Sequence, residues 1–469
     1  MEIITDGTLP PIPEPPAHGA DVGDIGIAVD IGTTTIALNV WSIAERKKIA
    51  VVAEENAQLA HGRDIITRIS FALGEPFPPV GKNAPSGEAT LHHRLVAQLE
   101  RLFRKAVAQA QGGLPRGFRP TVNAIVLAGN TAMLSFACAV PVAPLSKAPF
   151  AAASLFGCET TWKAVREGSV TEPHISGGNP PNALFEPLAA SVVPDSTPVY
   201  IPPCVGAFIG ADTVCAMLAA GFPVPGDAPA PASPPLLLDI GTNSEIALYV
   251  ADTAERNGRI LCTAAAAGPA FEAANISCGM GAVEGAIDSI AIERGTIVPH
   301  TIGGGKAKGI CGSGLVSAVA ALLAERRIEK DGAVAEAGQK RGSGVARIEL
   351  APSVCISQKD IRNLQLAKAA VKTGLCHLLE KSPAPPVLHI AGGFGTKISM
   401  KDALAIGMIP EELSGRAVSV GNAALAGASA LIFSPALRQK AHRLKEKTIV
   451  LNLAAIPGFQ DRFLKSIDF

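Results

Sequence analysis

The tetrapeptide Asp-Ile-Gly-Thr occurs twice, in "VDIGTTTIALNV" (Val29 to Val40) and in "LDIGTNSEIALYV" (Leu238 to Val250). Each copy interrupts a run of strand-forming residues, so each reads as strand, tight turn, strand. The aspartate closes the first strand and presents a carboxylate. Gly32 lets the backbone approach a ligand closely because it has no Cβ. Thr33, Thr34 and Thr35 offer hydroxyls and N–H donors suited to phosphate oxygens. A carboxylate beside phosphates suits Mg²⁺, which takes hard oxygen ligands and keeps much of its water. One copy is compatible with an ordinary hairpin. Two copies at matching places predict a duplicated fold in which two turns act as jaws on one phosphate tail.

The element order agrees. After 1–24, a proline-rich tail, Ile25 to Val40 and "RKKIAVVAEEN" (Arg46 to Asn56) give three strands. The alternation in "TTIALNVWSI" predicts a half-buried antiparallel strand. Arg63 to Leu73 and Glu88 to Gln111 read as helices, the second with Leu91, Leu95, Leu99, Leu102 and Val107 on one face. "NAIVLAGNTAML" is a strand that opens a helix. The first lobe spans 25–222, with an irregular insertion expected at about 141–198. A proline-rich linker follows at 223–235, and the order restarts in a second lobe at 236–469. There Ser357 is placed to N-cap a helix with Asp360 as its capping-box partner.

Composition removes several classes. The 469 residues carry 41 basic and 41 acidic side chains, so no basic surplus argues for nucleic acid and no polybasic run for anionic lipid. No apolar run reaches the roughly 18 residues of a membrane span, and the N-terminus lacks a signal-peptide pattern. A cytoplasmic protein is expected. The nine cysteines contain no C-x-x-C and no ferredoxin spacing, so no iron–sulfur cluster is expected within one chain. A cluster shared across a homodimer by Cys278 or Cys311 is left open. The nine histidines show no zinc-binding spacing.

The motifs resemble those of the actin-like ATPase superfamily. "DIGTTT" (Asp30 to Thr35) and "DIGTNSE" (Asp239 to Glu245) resemble its two phosphate motifs, and "VGAFIGADTVCAML" (Val205 to Leu218) and "GNAALAGA" (Gly421 to Ala428) its two connectors. "AGGFG" (Ala391 to Gly395) resembles its adenosine motif. With "GNT", "AAGPAFEAANISCGM", "GICGSGL" and "QKDIRNLQLAKAA", the set is similar to the ATPase region of the reductive activators of corrinoid proteins. The resemblance implies an α/β, duplicated RNase H-like or actin-like ATPase fold, two lobes around a nucleotide cleft. It also implies an ATPase that supports reduction of a corrinoid methyl-carrier protein from cobalt(II) to cobalt(I). Such activators typically carry a ferredoxin-like domain. The tail before Ile25 holds no cysteine, so a separate electron donor is expected.

The site follows from that resemblance. Asp30 and Asp239 are expected to hold Mg²⁺ through water. Gly32, Thr33, Thr34, Thr35, Gly241, Thr242 and Asn243 are expected to hold phosphates, with Glu245 and Glu272 as weaker candidates. Asp212 is the candidate to orient the hydrolytic water, or alternatively an N-cap of its helix. Gly312 and Ser313 open a helix whose N–H groups suit a phosphate. Gly392, Gly393 and Gly395 should line the adenosine pocket. Arg362 and Lys368 either approach the adenine or are exposed helix charges. "NISCGM" (Asn275 to Met280) either faces the partner or is structural. Three other readings share the fold: a small-molecule kinase, an activator of radical dehydratases with a cluster bridging two subunits, and a nucleotide-gated chaperone.

Overall fold

Aliphatic and β-branched residues dominate β1 (Asp24–Ile31) and β2 (Thr35–Ser42), whose side chains are mostly buried, and the edge strand β3 (Lys47–Glu55), antiparallel to β2, buries Ala50 and Val52. In the computed structural model the described residues are 5–12, 20–74, 86–115, 117–170, 190–227, 229–241, 243–251, 258–335 and 346–469. Parallel strands β4 (Thr121–Gly129) and β6 (Pro198–Pro203) extend the sheet beside β1. β5 (Phe156–Thr161) closes that edge antiparallel to β6, giving the order β3-β2-β1-β4-β6-β5.

The plan is then repeated. β7 (Pro235–Ile240), β8 (Ser244–Val250) and β9 (Arg259–Ala265) form the antiparallel meander. Two small hairpin systems follow. β10 (Ala286–Glu293) pairs with β11 (Thr296–Thr301) and with the short β12 (Gly309–Ile310), and β13 (Arg347–Ala351) pairs with β14 (Val354–Ser357). β15 (Val387–Ala391) and β16 (Ala417–Gly421) lie parallel beside β7, and β17 (Thr448–Val450) borders β9. The order β9-β8-β7-β15-β16 matches β3-β2-β1-β4-β6, so each Asp-Ile-Gly-Thr turn joins the first two strands of its own sheet.

The chain divides into two compact units. One comprises Thr5–Val224 with Asn422–Thr448, and the other Pro225–Gly421 with Ile449–Phe469. This differs from the sequence reading, which keeps 236–469 together. The reason lies in the helix Ala423–Phe433, whose residues through Ile432 are all buried. A helix apolar on every side must be enclosed. It is enclosed in the first unit, against β1, β4 and the helix Ala211–Ala219. At the crossing, a Cβ on Gly427 would stand 2.0 Å from the Cys215 carbonyl oxygen, so only glycine allows this approach.

The same helix explains why β2 is buried on both faces rather than one. Asn39, the polar member of the alternation, donates to the Thr5 carbonyl and, at 3.5 Å, to Ser429 Oγ. The expected tail is anchored in its described part: the Asp6 carbonyl accepts from Asn422 N, and the Asp6 carboxylate pairs with Lys48. The expected irregular insertion contains β5 and the helix Trp162–Glu167, while 171–189 lie outside the described residues. Trp162 is fully buried and donates to Glu100 Oε1 at 2.9 Å. Among the described residues no helix is long and apolar enough to cross a membrane.

Candidate active site

In the first unit the Asp-Ile-Gly-Thr turn is built from its own backbone. Gly32 N–H donates to the Thr35 carbonyl at 2.9 Å, and Asn56 N–H to the Thr34 carbonyl at 2.8 Å. Side chains then hold it from behind. Asn56 Nδ2 donates to the Gly32 carbonyl (2.9 Å), Asn130 Nδ2 to Thr33 Oγ1 (3.1 Å) and Arg68 Nη2 to the Thr33 carbonyl (2.5 Å). Arg68 is fully buried, and its Nε donates to the Gly62 carbonyl. Burial lowers its pKa to about 10, so it keeps its charge beneath the turn at neutral pH.

Asp30 ends β1 and Asp212 lies in the first turn of the helix Ala211–Ala219. Burial, then repulsion from Asp212, raises the Asp30 pKa to about 7, opposed by the Asn422 side chain, which donates to Oδ2 at 3.1 Å. Burial raises the Asp212 pKa to about 6, opposed by Thr213, whose N–H donates to Oδ1 at 2.7 Å. The alternative role of Asp212 as N-cap is overturned, because Gly210 occupies the cap and makes no side-chain bond there. Two desolvated carboxylates that repel each other are the arrangement a divalent cation relieves. Asp30 and Asp212 together fit hydrated Mg²⁺, which needs few protein ligands. Among the described residues no three His, Cys, Asp or Glu side chains form a cage for a fully dehydrated ion.

In the second unit the turn is one residue tighter. Ile240 pairs with Ser244 where Ile31 pairs with Ile36, and Gly241 N–H donates to the Asn243 carbonyl at 3.0 Å. Thr242 lies outside the described residues. The shortened loop sets Glu245 directly across the ladder from Asp239, whereas Ala37 stands across from Asp30. Directly opposed side chains share a sheet face, so this turn carries a second carboxylate. Against it lies Gly392, with φ of 88° and room for no Cβ: one would stand 2.7 Å from Asp239 Oδ1. Gly393 is exposed with open space around it, and Gly395 is buried against Ile390.

The ring of Phe394 stacks on Phe271 at 4.9 Å, and Gly312 packs beneath both, its missing Cβ 1.8 Å from the Phe271 carbonyl oxygen. The second unit therefore gathers Asp239, the Gly392–Gly395 turn and the helix start at Gly312 and Ser313. Ser313 itself is buried, with its hydroxyl 3.3 Å from Cys311 Sγ.

Residues 233–469 match the family described as the C-terminal domain of RACo, the ASKHA domain, and residues 25–166 match the RACo middle region. The chain belongs to the RACo family. It is 28% identical to "Corrinoid activation enzyme RamQ" of Eubacterium limosum, over 95% of this chain and 70% of that protein. It is 25% identical to "[Co(II) methylated amine-specific corrinoid protein] reductase" of Methanosarcina barkeri, over 87% of this chain and 69% of that one. Among solved structures, "Reductive activator for corrinoid,iron-sulfur protein" superposes with a TM-score of 0.75 and 26% identity, covering 96% of this chain and 67% of that one. The α/β actin-like architecture and the family resemblance expected from the motifs are thereby shown.

For a RACo-family chain the sequence missed the supporting residues. Asn130 and Asn422 stand inside quoted motifs, each directly after a strand-end glycine, but neither had a side-chain role assigned. Arg68 left no signal beyond its place on a short helix. Arg362 is an exposed charge on its helix, as one of the two readings had it, whereas Lys368 is not. Arg362 donates to the Asp331 carbonyl and to Gln365 Oε1. Lys368 is fully buried, donates to the Asp468 carbonyl and lies 5.2 Å from the Phe469 ring centroid. Its spacing from Leu364 and Val371 puts it on the apolar stripe, the sequence signal that marks it.

Proposed function

We propose that the chain is a cytoplasmic, ATP-hydrolysing activator that supports reduction of a corrinoid methyl-carrier protein from cobalt(II) to cobalt(I), with the electron supplied by a separate low-potential donor. The observation that carries the ATP half is the Asp30–Asp212 carboxylate pair at the end of a strand–Asp-Ile-Gly-Thr–strand turn. Membership of the RACo family, with relatives named for corrinoid activation and corrinoid-protein reduction, supports the corrinoid half.

The proposal assigns phosphate oxygens to Gly32, Thr33, Thr34 and Thr35, and to Gly241, Thr242 and Asn243. It assigns adenosine to the backbone at Gly392, Gly393 and Gly395. Arg68 holds the Thr33 peptide so that its neighbouring N–H groups stay aimed outward, and its buried charge favours an anion above it. Asp212 orients the attacking water, since positioning rather than strong basicity dominates phosphoryl transfer. Bound Mg²⁺, held through water by Asp30 with Asp212 beside it, would neutralise phosphate charge, and Asp239 is the corresponding candidate at the second turn. ATP turnover is coupled to a conformational change that reshapes the partner's cobalt environment in favour of the reduced state, since differential affinity for the two states is what shifts such an equilibrium.

The test mixes the purified chain with a corrinoid carrier, Mg·ATP and a low-potential reductant, and follows the cobalt absorption spectrum. Appearance of the cobalt(I) band only with ATP present is the expected result. Stoichiometric phosphorylation of a metabolite, or cobalt reduction indifferent to ATP, would overturn the reading.

A further inference from the structure

Two thiols stand together in the second unit, one of them on a loop whose Cys278 carbonyl accepts from the Ile310 N–H at 2.9 Å. Cys278 Sγ lies 3.9 Å from Cys355 Sγ, although the residues are 77 positions apart, and Cys278 Sγ accepts from the Cys355 N–H at 3.4 Å. Both side chains are only partly buried. Cys138, Cys204, Cys215, Cys262 and Cys311, by contrast, are buried.

The pair is held by its surroundings. Cys278 belongs to the loop Asn275 to Met280, and its neighbour Ser277 donates its N–H to Asp360 Oδ1 at 2.9 Å. Asn363 Nδ2 donates to the Asn275 carbonyl at 3.0 Å. Cys355 lies on β14, two residues before Ser357, which N-caps the helix Gln358–Leu379 and donates its N–H to Asp360 Oδ2 at 2.7 Å. One carboxylate, Asp360, thus fixes the chain on both sides of the two sulfurs. A disulfide needs the sulfurs at about 2 Å, a closure that side-chain rotation supplies when the backbones are already adjacent.

We infer that Cys278 and Cys355 form a redox-active dithiol that a disulfide-class oxidant converts to an intrachain cystine. The Cys278 thiolate attacks one sulfur of R–S–S–R, and R–S⁻ leaves. The Cys355 thiolate then attacks the mixed disulfide at the Cys278 sulfur, and the second R–S⁻ leaves. In balance, two protein thiols and one oxidant disulfide become one protein disulfide and two R–SH. The protein loses two electrons, and its two thiol protons end on the released thiols. Burial and the Cys278 sulfur hold the Cys355 thiol above its usual pKa, which leaves the opening attack to Cys278. A resolving thiol within reach also diverts a sulfenic acid at Cys278 from irreversible oxidation. The product ties the loop Asn275 to Met280 covalently to β14, adding to the hydrogen bonds that already fasten it. None of this depends on the corrinoid reading.

The test uses the full chain, reduced, freed of reductant and incubated with glutathione disulfide. Remaining thiols are then alkylated and the protein is digested without reduction. The expected result is a linked peptide pair containing Cys278 and Cys355, with both thiols lost from alkylation and restored by dithiothreitol. Recovery of Cys278 and Cys355 as separate alkylated peptides, or of Cys278 as a stable glutathione adduct with Cys355 free, would overturn the inference. The Cys355→Ser variant should stop at the glutathione adduct on Cys278. A Cys355→Ser chain that forms no adduct there while retaining native thermal unfolding would count against Cys278 as the attacking sulfur.

Discussion

The Asn422 side chain donates to Asp30 Oδ2 across 3.1 Å while its own Oδ1 accepts from the Leu425 N–H at 2.8 Å. One residue therefore caps the helix Ala423–Phe433 and steadies the carboxylate at the first phosphate turn. The two roles separate by mutation. Asn422→Ala loses both, and should destabilise the protein by about 0.5–2 kcal/mol in urea unfolding. Asn422→Asp keeps the cap but replaces the donor to Asp30 by a carboxyl, so at neutral pH it should unfold earlier than wild type and recover stability as pH falls. It adds a third carboxylate beside Asp30 and Asp212, so its ATP turnover should fall with that of the alanine variant.

Asp212→Asn tests the water-orienting role. Its volume is unchanged and it removes one of two mutually repelling charges, so the fold should be at least as stable. Turnover should drop by about 10²-fold or more, with nucleotide affinity by calorimetry nearly retained. Equal loss of affinity and turnover would instead make Asp212 a binding residue.

Arg68→Lys keeps a positive charge but offers a single ammonium to the Gly62 and Thr33 carbonyls. The Thr33 peptide should lose its support. The expected outcome is a KM for ATP raised by roughly tenfold, about 1.4 kcal/mol, with a smaller change in kcat. Steady-state kinetics at fixed Mg²⁺ measures both.

Gly427→Ala places a methyl 2.0 Å from the Cys215 carbonyl oxygen and 2.8 Å from its Cα. Backbone cannot turn aside as a side chain does, so the helices must separate. Overpacking of this kind costs about 1–3 kcal/mol, to be read as a lowered urea midpoint.

Lys368 gives the pH dependence. Burial, then repulsion from Lys372, lowers its pKa from 10.5 to about 7, partly offset by Asp468. Between those values the unfolded chain binds more protons than the folded one, so this residue makes stability rise with pH from about 7 to 10.5. Below about 7 its penalty is fully present. Lys368→Met removes the titration. The difference in Tm between wild type and variant should therefore shift in favour of wild type as pH is raised through this window.

The meander strands, their turns and the capping box at Ser357 were legible because each depends on residues close in sequence. So was the repetition, since both copies keep the aspartate and the glycine. The long-range partners were not. Asn39 reads as the polar face of a half-exposed strand until a helix nearly four hundred positions later is seen to cover it. Asp212 reads equally well as a cap until Gly210 is found in that position. The hairpin β10–β11 was not legible, because Gly268 to Asp288, rich in glycine, reads as one continuous loop that runs past the start of β10 at Ala286. The tighter second turn was hidden by the shared Asp-Ile-Gly-Thr, which fixes the corner but not the register beyond it.

The return of Asn422–Thr448 to the first unit has a consequence for biosynthesis. When the ribosome has released the stretch up to Val224, β1 still lacks its covering helix, and Gly26 faces the space that Ile432 will fill. That half cannot finish folding until Asn422–Thr448 has been made. Expressed alone, a fragment ending at the proline-rich junction should be sticky and insoluble, whereas supplying the missing helical stretch as a second chain should rescue it.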